Sequence, residues 1–214
     1  FLAGDADVHL APRPGTNVPL LNALAHTIVT EGLYDDSFVR DRVSDWDRFM
    51  DFVREWTPER AATLCGVDAA SIREAAWMYA TERPSMTVHG LGLTEHVQGT
   101  ESVMCLINLA LITGNVGRPG TGVNPLRGQN NVQGAALMGC DPSILTGGGS
   151  IATGRSAFEA IWGSGIPTTH GLHLMQMMDA AAAGRLKALW AIGYDVLLTN
   201  PSASRTRKSF EAME

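Results

Sequence analysis

Residues 85–114 read SMTVHGLGLTEHVQGTESVMCLINLALITG, and this stretch decides the fold class. The run from Ser85 to His89 predicts a β-strand, and residues 90–94 predict a glycine-rich loop after it. A helix is predicted from about Glu101 to Thr113, with Gly114 ending it. The order strand, glycine loop, helix is typical of an α/β sheet, whose ligands bind at the carboxyl ends of the strands. We therefore predict an α/β protein.

Two further units of the same kind are predicted on either side. In the first, residues 7–11 form a short alternating strand, residues 12–17 a turn, and residues 19–30 an apolar helix. In the second, residues 186–192 form a strand that leads into a glycine loop and a helix from about Ser202. Both units support the α/β prediction.

The segment between residues 31 and 83 has a different composition, because it holds 19 of the 38 charged residues. Apolar residues recur at spacings of three and four in residues 45–56 and again in residues 71–81, which predicts amphipathic helices. Thr57 and Pro58 between them predict an N-cap and a first helical residue. We read residues 31–83 as a helical insertion without visible chemistry.

Composition excludes several classes of protein. The 214 residues are 45% hydrophobic and carry a net charge of −6, which argues for a folded core and against nucleic-acid binding. No apolar run approaches the roughly 20 residues of a membrane span. Cys65, Cys105 and Cys140 are too far apart for a metal-binding pair, so we expect small core residues in a reducing, cytoplasmic compartment and no metal ligand in the chain. The chain opens at Phe1 without a signal peptide, and we expect an internal fragment.

Residues 114–134 form the most unusual window, GNVGRPGTGVNPLRGQNNVQG. It contains six glycines and several amide side chains but carries only two charges, those of Arg118 and Arg127. Amides hydrogen-bond in both directions without adding a charge to desolvate, so the composition favours contact with a large polar ligand. Arg127 offers a planar fork suited to a carboxylate. None of the glycine loops contains the G-x-G-x-x-G pattern of nicotinamide enzymes.

At this window the sequence resembles the catalytic subunit of molybdenum-dependent formate dehydrogenases, within the molybdopterin oxidoreductase superfamily. The segments GNVGRPG and GVNPLRGQNNVQGA carry the resemblance, together with residues 7–17, 31–35 and 90–96. Nitrate reductases have a similar glycine-rich approach but lack the arginine. The resemblance implies parts of two Rossmann-like α/β domains of the formate dehydrogenase and DMSO reductase type, the central domains II and III. We assign residues 1–129 to the first dinucleotide-binding domain and residues 130–214 to the second.

The resemblance also implies cofactors and site residues. The family binds two molybdopterin guanine dinucleotides on one molybdenum, and a four-iron four-sulfur cluster held by segments outside this fragment. The residues that match cofactor-binding loops are Gly15, Thr16, Asn17, Gly90, Gly92, Thr94, Gly193, Tyr194 and Asp195. The last loop departs from the family's usual Gly-Glu-Asn-Pro or Gly-Glu-Asp-Pro. Arg127 matches the arginine that holds formate, and Gln129 matches a neighbour that helps to position it.

The implied activity is oxidation of formate to carbon dioxide, with two electrons leaving through molybdenum and the iron–sulfur cluster to electron-transfer subunits. The fragment alone is expected to be inactive. One alternative is another molybdopterin oxidoreductase whose substrate is not formate, for example one like nitrate reductase. Arg127 is the discriminator, because a neutral substrate would not need it. A second alternative is a non-catalytic binding module that keeps the fold without the metal.

Overall fold

A computed structural model describes residues 2–213, and the chain divides into two compact units, residues 1–128 and 129–214. The two units differ in which residues pack together, and this packing does not test the assignment of one dinucleotide to each unit. That assignment stays a prediction. The elements of the first unit are α1 (Leu2–Asp5), α2 (Asn17–Thr30), α3 (Asp36–Arg42), α4 (Trp46–Arg54), α5 (Pro58–Cys65), α6 (Ala69–Thr81), β1 (Met86–His89), α7 (Leu91–Thr94), α8 (Gly99–Ile112) and β2 (Gly122–Pro125). Those of the second unit are α9 (Val132–Leu137), β3 (Ile144–Leu145), β4 (Gly149–Ser150), α10 (Ile151–Trp162), α11 (Leu174–Ala182), α12 (Val196–Thr199) and α13 (Ala203–Glu211).

Helix α2 is the centre of the first unit. One of its faces enters an apolar cluster with Val53, Ala76 and Leu109, and another enters a second cluster with Ala61 and Ile72. Both Ile28 on α2 and Ile72 on α6 are fully buried. A helix that is apolar on two sides is buried between its neighbours, so α2 joins α4, α5, α6 and α8 into one core.

The helices of the predicted insertion are confirmed. Thr57 accepts a hydrogen bond from the backbone N–H of Arg60, and Pro58 is the first residue of α5. Asp35 and Asp68 cap α3 and α6 in the same way. A cap supplies an acceptor for an N–H that the helix leaves unpaired, which fixes where each helix begins.

The sheet of the first unit consists of one parallel pair. Strand β1 pairs with β2 from Met86 opposite Gly122 to His89 opposite Pro125. The connection between them contains α7 and α8, as parallel strands require a crossover. The predicted strand at residues 85–89 is therefore confirmed.

Two other predicted strands are wrong. Residues 7–11 are irregular, and Leu10 packs its side chain against the cluster that contains Ala61 and Ile72. Residues 186–192 are irregular as well, with Trp190 and Ile192 exposed by 86% and 75%. An alternating or apolar run forms a strand only beside a hydrogen-bonding partner, and no segment within residues 2–213 pairs with either run.

The second unit is mainly helical. Its sheet is the short antiparallel pair β3–β4, and α11 and α13 pack on each other around Met178 and Thr206. His173 forms a capping box with Gln176 at the start of α11, so its side chain caps a helix. Among the described helices of both units, none combines the length and the apolar character of a membrane span.

The three cysteines are free thiols, and two of them match the expected buried position. Burial raises the pKa of Cys105 to about 11, and burial raises the pKa of Cys65 as well. Cys140 is exposed, so the expectation of a core residue is wrong there. Its position follows the short helix α9, which buries none of its own residues.

Candidate functional site

The carboxyl ends of β1 and β2 lie side by side at one edge of the parallel pair. The backbone N–H of Leu126 donates to the carbonyl oxygen of His89 at 2.8 Å, which extends the pairing one residue past the last strand residue. Gly90 and Arg127 therefore leave the sheet at the same edge. In open α/β sheets this edge is where ligands bind.

The segment that follows β1 forms the single helical turn α7, Leu91–Thr94, where a glycine-rich loop was predicted, and its backbone is open. A Cβ atom added to Gly90 or Gly92 would meet nothing within 4 Å, so neither glycine is needed for packing within the described chain. Gly99 is different, because a Cβ there would lie 2.1 Å from the carbonyl oxygen of Thr94. The hydroxyl of Thr94 donates back to the carbonyl of Gly90 at 3.3 Å. The loop is thus folded onto the start of α8 while its glycines face outward.

The loop before α2 is held by the end of α5. The backbone N–H of Arg13 donates to the carbonyl of Cys65 at 2.8 Å, and its guanidinium donates to the carbonyls of Thr63 and Leu64. Thr16 closes the turn, since its hydroxyl donates to the carbonyl of Arg13 at 2.6 Å. Gly15 has a φ of +82°, a backbone conformation that favours glycine. Sequence reasoning missed Arg13, whose partners lie about 50 residues away.

The structure brings these two predicted loops together. The side-chain amide of Asn17 donates to the carbonyl of Gly92 at 3.5 Å, and Nε2 of His96 lies 3.0 Å from the same oxygen. Gly15, Asn17 and His96 line a cleft between the starts of α2 and α8 that is too narrow to admit a water molecule in this structure, so only its rim is open to a ligand. No side chain caps either of these helices. The arrangement offers backbone N–H groups and a helix dipole, which suit an anionic group.

Arg118 and Arg127 differ in their surroundings. Arg118 lies 3.4 Å from Asp35, which also pairs with Arg83 at 3.5 Å. Arg127 is exposed and forms no hydrogen bond or ion pair with any residue between positions 2 and 213. Of the two basic residues in the glycine-rich window, Arg127 is therefore the one whose guanidinium remains available to an anion.

Asp35 owes its acidity mainly to local hydrogen bonds. The backbone N–H of Phe38 and the hydroxyl of Ser37 lower the pKa of its carboxyl group below the ordinary value of 3.8, with smaller contributions from Arg118 and Arg83 against the effect of burial. Asp35 is therefore ionised wherever it acts as the counter-ion of these arginines. Arg118 has a structural role as a result.

The second unit carries the remaining predicted residues. Gln129 is exposed at its beginning. Asp195 caps α12, with one carboxylate oxygen accepting from the N–H groups of Leu197 and Leu198 at 3.1 and 3.0 Å. Gly193 has a φ of +65° and open space at its Cβ position. The loop is thus ordered by its own helix cap.

Tyr194 leads to a residue that sequence reasoning missed. Its hydroxyl donates to Oδ1 of Asn200 at 3.2 Å. Asn200 is buried, and its Nδ2 finds no acceptor within the described chain. A buried amide nitrogen without a partner is costly, so a ligand or water is needed to satisfy it. No sequence pattern marks this residue, since its burial depends on the packing of α12 and α13.

Comparison with known proteins gives one family. The model of the family described as "Molybdopterin oxidoreductase" matches residues 3–214. Formate dehydrogenase H of Escherichia coli is 40% identical over 212 residues, and the F420-dependent formate dehydrogenase subunit alpha of Methanocaldococcus jannaschii is 35% identical over 212 residues. These alignments cover 98% and 99% of this chain but 30% and 31% of the relatives. The chain therefore spans about 30% of the length of these curated relatives.

The fold has a solved counterpart. Acetylene hydratase from Pelobacter acetylenicus superposes with a TM-score of 0.71 at 20% identity, over 100% of this chain and 32% of that protein. This likeness confirms the predicted α/β fold class. The family match over nearly all residues confirms the resemblance that the glycine-rich window predicted, and this chain belongs to the molybdopterin oxidoreductase family.

Proposed function

We propose that this chain forms the central, cofactor-binding part of a formate dehydrogenase. The observation that carries the proposal is Arg127, which is exposed, forms no hydrogen bond or ion pair with residues 2–213, and follows directly on the paired carboxyl ends of β1 and β2. The similarity to two formate dehydrogenases supports the choice of substrate. Formate is a small carboxylate, and a free arginine fork at a ligand-binding edge matches it.

Family membership implies a molybdenum–pterin cofactor, and the residues present fit one. Its phosphate groups are anions, and the loops before α2 and after β1 offer uncapped helix starts, open glycine backbone and the Asn17 amide. We assign Gly15, Thr16, Asn17, Gly90, Gly92 and Thr94 to one molybdopterin guanine dinucleotide.

A second dinucleotide is assigned to Gly193, Tyr194 and Asp195. The remaining carboxylate oxygen of Asp195 can accept from a purine edge, and the buried amide nitrogen of Asn200 is a donor that lacks an acceptor within residues 2–213.

The four-iron four-sulfur cluster is assigned to segments of the full-length enzyme outside this chain. The free thiols of Cys65, Cys105 and Cys140 support a reducing, cytoplasmic compartment.

The overall reaction releases carbon dioxide, one proton and two electrons from each formate. The molybdenum–pterin group supplies the two-electron redox chemistry when it is bound. Arg127 contributes orientation, because two parallel hydrogen bonds to the formate oxygens fix the direction of the C–H bond. Carbon dioxide is neutral, so Arg127 holds the product far more weakly than the substrate. Gln129 is assigned to positioning the substrate, and electron-transfer subunits are the proposed acceptors.

Substitution of Arg127 by Lys in the full-length enzyme tests the proposal. A point charge cannot replace a planar fork, so the formate KM should rise, turnover should fall, and kcat/KM should drop by roughly ten- to a hundredfold. Arg118→Lys is the matched control, because Arg118 is paired with Asp35; this variant should lose stability but keep the formate KM.

Three results would contradict the proposal. Unchanged formate kinetics in Arg127→Lys would remove Arg127 from the substrate site. Turnover of a neutral substrate but not of formate by the cofactor-loaded enzyme would indicate another member of the family. An enzyme that retains cofactor but turns over no substrate would indicate a binding module.

A further inference from the structure

A groove in the first unit is built from residues outside the proposed cofactor and substrate sites. It has a volume of about 610 Å³ and lies between α4, the segment that precedes α4, and α8. Phe49, Phe52, Met104 and Leu111 give it an apolar wall. Phe52 and Met104 are 51% and 58% exposed, so this wall is open to solvent.

The arginines of the helical segment separate into two groups. Residues 31–83 contain seven arginines, and five of them form ion pairs: Arg40, Arg54, Arg60, Arg73 and Arg83. The other two, Arg42 and Arg48, form neither an ion pair nor a hydrogen bond with any residue in the described range 2–213. Both of them line the groove.

The groove therefore combines an apolar wall with two arginines that have no ion-pair partner within residues 2–213. Asp45 is the single carboxylate of the lining and pairs with neither arginine in the described part of the chain. A volume of a few hundred Å³, an apolar lining and few polar groups are the usual properties of small-molecule sites. Two arginines that line one groove favour an anion, and carboxylates or phosphates match the geometry of a guanidinium group.

We propose that this groove binds a small amphipathic anion. Its aromatic or aliphatic body lies against Phe49, Phe52 and Met104, and its carboxylate, sulfonate or phosphate is held by Arg42 and Arg48. The site is independent of the cofactor loops, so its test does not depend on formate chemistry.

Calorimetric titration of the full chain with octanoate tests the site, with 1-octanol as the uncharged probe of equal chain length. Octanoate should bind saturably at one site. The affinity for 1-octanol should be lower by about tenfold or more. The double variant Arg42→Gln/Arg48→Gln should weaken octanoate binding by about tenfold or more. Arg54→Gln is the matched control. Arg54 lies on α4, as Arg48 does, but it pairs with Asp51 and does not line the groove.

Absence of saturable octanoate binding would overturn the proposal, and so would equal affinity in the wild type and the double variant. An equal loss in Arg54→Gln would also overturn it, since net charge rather than the groove would then be responsible. Binding of an acidic peptide without binding of octanoate would identify a protein docking surface instead. If circular dichroism shows that the double variant is unfolded, the single variants are titrated, and each should bind octanoate several-fold more weakly.

Discussion

At the scale of single residues, the clearest distinction is between Arg118 and Arg127. Both lie in the glycine-rich window, and the neighbouring residues in the sequence do not show which of the two has an ion-pair partner. The partner of Arg118 is Asp35, 83 residues earlier in the chain. No local pattern can predict such a contact, because it exists only once α3 packs beside α8. The resemblance pointed to Arg127, and the folded chain supplies the physical reason why its charge is available.

Substitution of Asp35 should lower stability in a way that depends on pH. The pKa of its carboxyl group is lower in the folded chain than the ordinary value of 3.8. Its contribution is therefore fully present above the unfolded pKa and is lost as the pH falls through the folded pKa. Asp35→Asn should lower the free energy of unfolding by about 1–3 kcal/mol near neutral pH, and the difference from wild type should shrink below about pH 4.

Urea unfolding at about pH 7 and about pH 2.5 measures this difference. Asp36→Asn is the control, because Asp36 is an exposed neighbour whose ion pair with Arg40 is open to solvent. That variant should change stability by about 0.5 kcal/mol or less. A difference for Asp35→Asn that is as large at low pH as at neutral pH would contradict the assignment of charge to this site.

At the scale of elements, the helices predicted over residues 19–30 and from about Ser202 formed, whereas only one of the three predicted strands did. The predicted helix over residues 19–30 is α2, Asn17–Thr30, and the helix from about Ser202 is α13, Ala203–Glu211. Helix hydrogen bonds and caps are local, so short-range patterns are sufficient. The strand at residues 85–89 formed because residues 122–125 lie beside it, whereas residues 186–192 have no such partner in the described chain. The meeting of the loops at Asn17 and Gly92 likewise depends on packing between α2 and α8.

The central role of α2 predicts a large effect at Ile28. This side chain is fully buried in the first apolar cluster, so Ile28→Ala removes buried contacts and leaves a cavity. The free energy of unfolding should fall by about 2–5 kcal/mol. The matched control is Ile107→Ala on α8, where the side chain is 42% exposed and the expected loss is about 1 kcal/mol or less. Equal losses in the two variants, measured by urea unfolding, would contradict the central position of α2.

At the scale of the whole molecule, the two units differ in how much they bury. Both large apolar clusters belong to the first unit. In the second unit, α10 buries none of its twelve residues, and Trp190, Ile192 and Leu198 are largely exposed. Apolar burial is the main stabilising contribution, so local stability should be unevenly distributed.

Hydrogen exchange measured by mass spectrometry checks this expectation. Amides of α2 and α8 should exchange slowest, and those of α10 should exchange fastest among the longer helices. The helices α2, α8 and α10 have 14, 14 and 12 residues, so helix length does not account for the expected contrast. Slowest exchange in α10 would show that the second unit has a core of its own.

Asp35 also bears on any attempt to reduce this chain to a smaller scaffold. Its carboxylate is the counter-ion of Arg83, just before β1, and of Arg118, just before β2. Its backbone N–H is bonded to the last residue of α8. The charged helical segment at residues 31–83 looks dispensable because it carries none of the proposed cofactor contacts. Excising it would remove α4, α5 and α6, which pack against α2 in the core, and would also leave Arg118 without its counter-ion and α8 without its end contact. A minimal cofactor domain engineered from this chain must therefore replace the Asp35 carboxylate as well as the apolar cover of α2.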